Sequence, residues 1–156
     1  MKYIEQAHGE PEGCLFCELA AKGDDGAALI LHRGPQAFVL MNAFPYNPGH
    51  LMVAPFRHVG DPQQLSDEEL LDCSHLLQRS LGALTGEMAP DGFNMGMNLG
   101  RVAGAGVPGH LHWHVVPRWN GDTNFMPVVG DTRVLPESLE ATYRKLRPRL
   151  HAADGA

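Results

Sequence analysis

The chain has 156 residues, 44% of them hydrophobic and 19% charged, with 18 Asp and Glu against 12 Lys and Arg for a formal net charge of -6. That is enough for one folded domain with its own core, and scattered basic residues under a negative net charge argue against a nucleic-acid backbone as partner. No apolar run approaches the ~18 residues of a membrane span and Met1 to Glu12 has no apolar signal stretch, so the expectation is a cytoplasmic protein without a membrane partner. No repeat, low-complexity tract or linker divides the sequence, and residues 1–156 read as a single domain with short tails.

Three cysteines do not make a disulfide framework. Cys14 and Cys17 form a C-x-x-C pair, which in a reducing compartment reads as a metal half-site or a redox motif. Ala28 to His32 and Ala37 to Asn42 are predicted strands separated by the turn signal Arg33-Gly34-Pro35. The segment from Ala43 to Gly49 carries two prolines and a glycine and must be a loop, after which His50 to Pro55 resumes as a strand. Ser66-Asp67-Glu68-Glu69 has the capping-box pattern of a helix start, and Leu70, Leu71, Leu77, Leu81 and Leu84 continue it to about Met88. Ala89-Pro90-Asp91-Gly92 stops that helix, Phe93 to Leu99 returns to strand, and a last helix is predicted from Pro136 to about Leu150, ended by Pro148. The order describes an α+β domain, an antiparallel sheet of about five strands with one long and one C-terminal helix on one face.

Between Phe93 and the last helix lies the segment from Gly109 to Trp119, with three histidines at strict two-residue spacing. On an extended strand His110, His112 and His114 share one face while Leu111, Trp113 and Val115 take the other. Imidazole offers nucleophiles, proton donors or metal ligands near neutral pH, and burying three unpaired rings would cost several kcal/mol without return. The preceding Gly104-Ala105-Gly106-Val107-Pro108-Gly109 matches G-x-G-x-x-G, but a strand follows where a dinucleotide-binding turn needs a helix. Its backbone N–H groups can still form a nest for phosphate, with Arg101 at its start.

His110-Leu111-His112-Trp113-His114-Val115-Val116 resembles the signature of the histidine triad superfamily of nucleotide hydrolases and transferases. The resemblance extends from Cys14 to about Leu150 through the C-x-x-C pair, the run Asn47 to Pro55, and Asn94 to Asn98. Pro117-Arg118-Trp119 with Gly121 to Phe125 is most similar to the bacterial branch of diadenosine tetraphosphate phosphorylases and hydrolases. It implies a triad-type fold and a small-molecule nucleotide substrate cleaved at a phosphoanhydride, His112 being the nucleophile that forms a nucleotidyl-histidine and His114 the group that stabilises charge. Gly104, Gly106 and Val107 are then placed on the phosphates, Asn98 either on a phosphate oxygen or orienting a catalytic group, Asn42 on the ribose and Phe44 against the base. In family members that bind zinc the ligands correspond to Cys14, Cys17, His58 and His110, which implies a structural zinc and no organic cofactor. Homodimers that extend the sheet are also implied. Gly106-Val107 stands where many members carry a serine close to the scissile bond, which makes a nucleotide-binding sensor or scaffold with weak catalysis an alternative. A second alternative is a metalloenzyme whose ion is chelated by His112 and His114, for which no carboxylate is evident as third ligand. His50 is open between an active-site neighbour and a structural hydrogen bonder. Cys73 reads as core, and His8, His32, His75 and His151 have no supporting pattern.

Overall fold

The computed structural model describes residues 13–123 and 137–151; His8, the Asn124 and Phe125 of the resemblance and the expected helix start at Pro136 lie outside them. Five strands, β1 (Ile30–Arg33), β2 (Ala37–Met41), β3 (Leu51–Pro55), β4 (Gly92–Gly96) and β5 (Trp113–Arg118), form one sheet in the order β1-β2-β3-β5-β4. Every neighbouring pair is antiparallel. The helices among the described residues are α1 (Leu15–Ala21), the single turn α2 (Asp25–Ala28), the long α3 (Asp67–Met88) and α4 (Leu139–His151). This is the expected α+β architecture. No helix of the described residues is long and apolar enough to cross a membrane.

β2 and β3 are apolar at every position and buried at every position, so both faces of the sheet have to be covered. Ala37, Val39, Met41, Leu51, Val53 and Val115 form one face, against Cys73, Leu76 and Leu84 of α3 and Leu146 and Leu150 of α4. The alternate residues Phe38, Leu40, Met52 and Ala54 meet Phe16 of α1. Helices therefore lie on both faces, not one. α1 escapes a periodicity reading because it is seven residues long and buries Phe16 alone. Ala28, expected to begin β1, closes α2 instead, and the strand expected to reach Leu99 ends at Gly96.

The capping box of α3 forms as predicted: Glu69 N–H donates to Ser66 Oγ at 3.1 Å, and Ser66 N–H donates to Glu69 Oε2 at 2.9 Å. Arg57 adds a two-pronged pair to the same carboxylate at 2.7 and 2.9 Å and holds Glu69 down to about 2. Leu70 and Leu71, expected in the apolar stripe, are instead 49% and 58% exposed. A face running through Cys73, Leu76, Leu77, Ser80, Ala83 and Leu84 arrives N-terminally at Glu69 and Asp72, leaving those two leucines outside it. Asp72 uses its buried place to accept N–H groups of Gln36 and Ala37 at 2.7 and 2.8 Å, fixing the start of β2. Pro148 does not end α4, which continues to His151. So late in the helix its missing N–H removes one bond, and burial of Leu146 and Leu150 on the same face holds the last turn.

Candidate active site

The alternation expected around the triad holds, although the paired strand begins only at Trp113. Leu111 N–H donates to Val59 O at 2.8 Å, and this contact ties the approach to β5 to the segment after β3. The fit is close: a Cβ on Gly60 would stand 3.0 Å from the Pro108 carbonyl oxygen, tighter than side chains ordinarily approach. His58 is thereby carried next to His110, their rings 5.3 Å apart.

Each triad histidine is pinned through one ring nitrogen, and the partners differ. His110 Nε2 lies 2.8 Å from the Pro55 carbonyl oxygen, which only accepts, so Nε2 carries the proton and Nδ1 keeps its lone pair. That Nδ1 faces Cys14 Sγ at 3.3 Å and Cys17 Sγ at 3.5 Å, while His58 Nδ1 is 3.6 Å from Cys17 Sγ. The four ligand atoms all lie within 4.8 Å of one another. Cys14 caps α1 and Cys17 lies in its first turn, so the C-x-x-C spacing turns both thiols toward this point. Burial and then the neighbouring Cys14 raise the Cys17 thiol above its ordinary value. Two thiols and two imidazoles, one already oriented by a carbonyl on its far nitrogen, are the donor set of a closed tetrahedral zinc site. Cys14, Cys17, His58 and His110 could hold such an ion.

His112 Nδ1 donates to the His110 carbonyl oxygen at 2.9 Å, which leaves the Nε2 lone pair available for attack. Burial lowers its pKa from the ordinary imidazole value, against the opposing pull of that hydrogen bond. His114 faces it at 5.0 Å between ring centroids, and burial followed by the proximity of His112 brings His114 down to about 4. Burial therefore favours the neutral form of both rings.

His50, open in the sequence, is fully buried and orders His114. Tyr46 N–H donates to His50 Nδ1 at 3.1 Å, so His50 carries its proton on Nε2 and passes a hydrogen bond to His114 Nδ1 at 2.9 Å. The proton of His114 must then sit on its Nε2. Gly49 makes this placement possible: φ is +79°, and a Cβ there would meet Met88 Sδ at 2.8 Å and Leu84 at 3.0 Å. Nothing in the local pattern marks His50 as the partner of a residue 64 positions away.

The other sequence-predicted residues border these rings unevenly. Asn42 Oδ1 accepts the Phe44 N–H at 2.9 Å, and Phe44 is 53% exposed. Asn98 Nδ2 donates to Gly104 O at 3.5 Å, tying the strand exit to the glycine loop, and Gly106 is half-buried. Val107, half-buried, packs its side chain on the cluster around Phe16 and Met52. Arg118 grips Asp122 at 2.6 and 2.9 Å, holding that carboxyl well below its usual range, and Asp122 in turn accepts from Asn47 at 2.8 Å. The Pro-Arg-Trp segment thus anchors the loop that carries Phe44 and Tyr46. Cys73 is core, and burial lifts its thiol to about 12.

Residues 26–121 match the family model described as the HIT domain, and the triad lies inside that span. The chain belongs to the HIT family. It is 40% identical over 131 residues to an AP-4-A phosphorylase of Mycobacterium tuberculosis, a match covering 84% of this chain and 67% of the relative. It is 25% identical to an adenosine 5'-monophosphoramidase of Schizosaccharomyces pombe, over 88% of this chain and 98% of that one. The fold matches a Zn-bound histidine triad family protein from Mycobacterium smegmatis with a TM-score of 0.72 and 26% identity, covering 92% of this chain and 96% of the other. As a HIT protein with this donor set, the chain has a metal-competent cluster directly behind the triad.

Proposed function

We propose that this HIT protein cleaves a phosphoanhydride of a dinucleoside polyphosphate or related adenine nucleotide through a covalent nucleotidyl-histidine at His112, with inorganic phosphate as acceptor. The observation that carries the reading is the His110 carbonyl, which holds the His112 proton on Nδ1 and leaves Nε2 unprotonated. Attack by that nitrogen on the α-phosphorus forms a P–N bond as the P–O bond to the bridging oxygen breaks. From diadenosine tetraphosphate the departing group is ATP, and phosphate oxygen attack on the adenylyl-histidine then releases ADP and restores the imidazole; water would release AMP. His114, neutral and protonated on Nε2, donates to the oxygens that gain charge, as do backbone N–H groups of the 104–107 loop. The 40% identity to an AP-4-A phosphorylase supports both the substrate class and the choice of phosphate.

Asn98, Gly104, Gly106 and the Val107 backbone are assigned to the phosphates, Asn42 to the ribose through its side-chain amide, and Phe44 to the base of the transferred nucleotide. Zinc on Cys14, Cys17, His58 and His110 would supply a rigid cross-link between α1 and the strand entry. A catalytic metal on His112 and His114 has no supporting third ligand among the described residues. The exposed edge strand β4, with Asn94, Met95 and Gly96 turned to solvent, suits sheet extension across a homodimer.

The test is mass spectrometry after mixing with diadenosine tetraphosphate. An adenylyl adduct that His112→Ala abolishes, with ADP and ATP as products when phosphate is present, is the expected result. Binding without adduct or turnover would point to a sensor instead.

A further inference from the structure

Aromatic rings line up from the metal-competent cluster to the surface. Phe16 touches His110 and His112 at centroid distances of 5.2 and 4.7 Å, His112 meets His114 at 5.0 Å, and His114 meets His50 at 5.1 Å. The row ends on Tyr46, 4.8 Å from His50 and 6.2 Å from His114, its plane within 29° of the His114 ring. Its two ends differ. Phe16 is 2% exposed and backs onto Cys14, Cys17 and the core, whereas Tyr46 is 56% exposed.

The exposed ring is held in place. Its own N–H is committed to His50, and the next residue, Asn47, donates to Pro117 O at 3.0 Å and to Asp122 at 2.8 Å. The result is an accessible, oriented aromatic ring beside the catalytic imidazoles. It is a suitable one for a planar ligand, because a ring takes a nucleobase by stacking without regard to its hydrogen-bond pattern.

We propose that Tyr46 is the stacking platform for the base of the departing nucleotide, so that the preferred substrates carry a nucleobase at each end of the polyphosphate. The inference rests on the reaction assigned above to His112. On one flank of that nucleophile Phe16 fills the space. Substrate atoms beyond the reacting phosphorus extend along the other flank, past His114, and the aromatic surface they meet is Tyr46. Phe44 and Tyr46 then serve the two bases of one dinucleotide, Phe44 the base that stays with His112 and Tyr46 the base that leaves.

The experiment compares diadenosine tetraphosphate with adenosine 5'-tetraphosphate, which has the same phosphate chain and no second base. Binding is measured by titration calorimetry in a His112→Ala background, where nothing is consumed. Tyr46→Ala is expected to reduce the preference for the two-base ligand by about 5- to 150-fold, the range for one stacked base, and Tyr46→Phe to keep it. A preference unchanged by Tyr46→Ala, or absent with Tyr46 in place, overturns the proposal. Failure of the wild-type protein to form an adduct would instead count against the nucleophile, since the calorimetric comparison does not depend on turnover.

Discussion

Replacing His50 separates a relay from mere packing. Its ring accepts one backbone N–H at 3.1 Å and donates to His114 at 2.9 Å, and it is completely buried. His50→Ala removes both bonds and opens a cavity, which together cost about 2 to 4 kcal/mol of folding stability. The catalytic consequence is smaller and of a different kind. The two tautomers of neutral imidazole are close in energy, so the His50 bond, worth about 0.5 to 1.5 kcal/mol, is what holds the His114 proton on Nε2. Losing it should slow adenylyl-enzyme formation by about two- to twelvefold with little change in nucleotide affinity. His50→Gln offers an amide N–H to His114 and a carbonyl to Tyr46, and should recover most of the rate. Single-turnover mass spectrometry gives the rate, and nitrogen-15 NMR of the histidines gives the tautomer. A folded His50→Ala protein with the wild-type rate and His114 still protonated on Nε2 would refute the relay.

Three further outcomes are expected. Cys17→Ser should abolish stoichiometric zinc binding, read by elemental analysis, and lower the melting temperature only of protein prepared with zinc; an equal loss without the metal would mean that the thiol acts by packing. Glu69 is held at about 2 instead of 4.5, so its pairing contributes fully above pH 4.5 and the contribution is lost as pH falls through 2. Glu69→Gln keeps a capping-box residue but not the charge, so its stability deficit in urea unfolding should be constant near pH 6 and shrink steadily below pH 4.5; a gap independent of pH would remove the ion pair from the account. Pro148→Ala, at an exposed position inside α4, should stabilise the protein by roughly 1 kcal/mol, the helix gain outweighing the looser unfolded chain.

Residues whose partners lie close in sequence were legible, and those whose partners lie far away were not. Ser66 and Glu69 announce α3 because a capping box is complete within four positions, and β2 and β3 announce themselves by continuous apolar runs. The alternation of His110, His112 and His114 gave their shared face because side-chain direction follows from backbone period. The other half of the site depends on distant carbonyls and rings: Pro55 O for His110, His50 for His114, Asp122 for the loop that carries Tyr46. Leu70 and Leu71 were misplaced for a related reason, since helical period sets relative positions and only tertiary contact selects the face that is buried. Val107 turned inward because Phe16 and Met52, from two separate elements, offer it an apolar surface.

The pattern of pinned nitrogens explains how one repeating motif supports two kinds of chemistry. His110 is held at Nε2 and offers Nδ1, a shallow nitrogen close to the backbone, to the thiols at the start of α1. His112 and His114 are held at Nδ1 and offer Nε2, the distal nitrogen, to a ligand entering from solvent. The same alternation that places the three rings on one face would leave them equivalent if each met the same partner. Their second bonds make them different, and the His110 backbone joins the two functions: its ring faces the metal-competent cluster while its carbonyl sets the tautomer of His112. Cys14 and Cys17, far from His112 in sequence, are thus joined through the one residue His110 to the ring proposed as nucleophile.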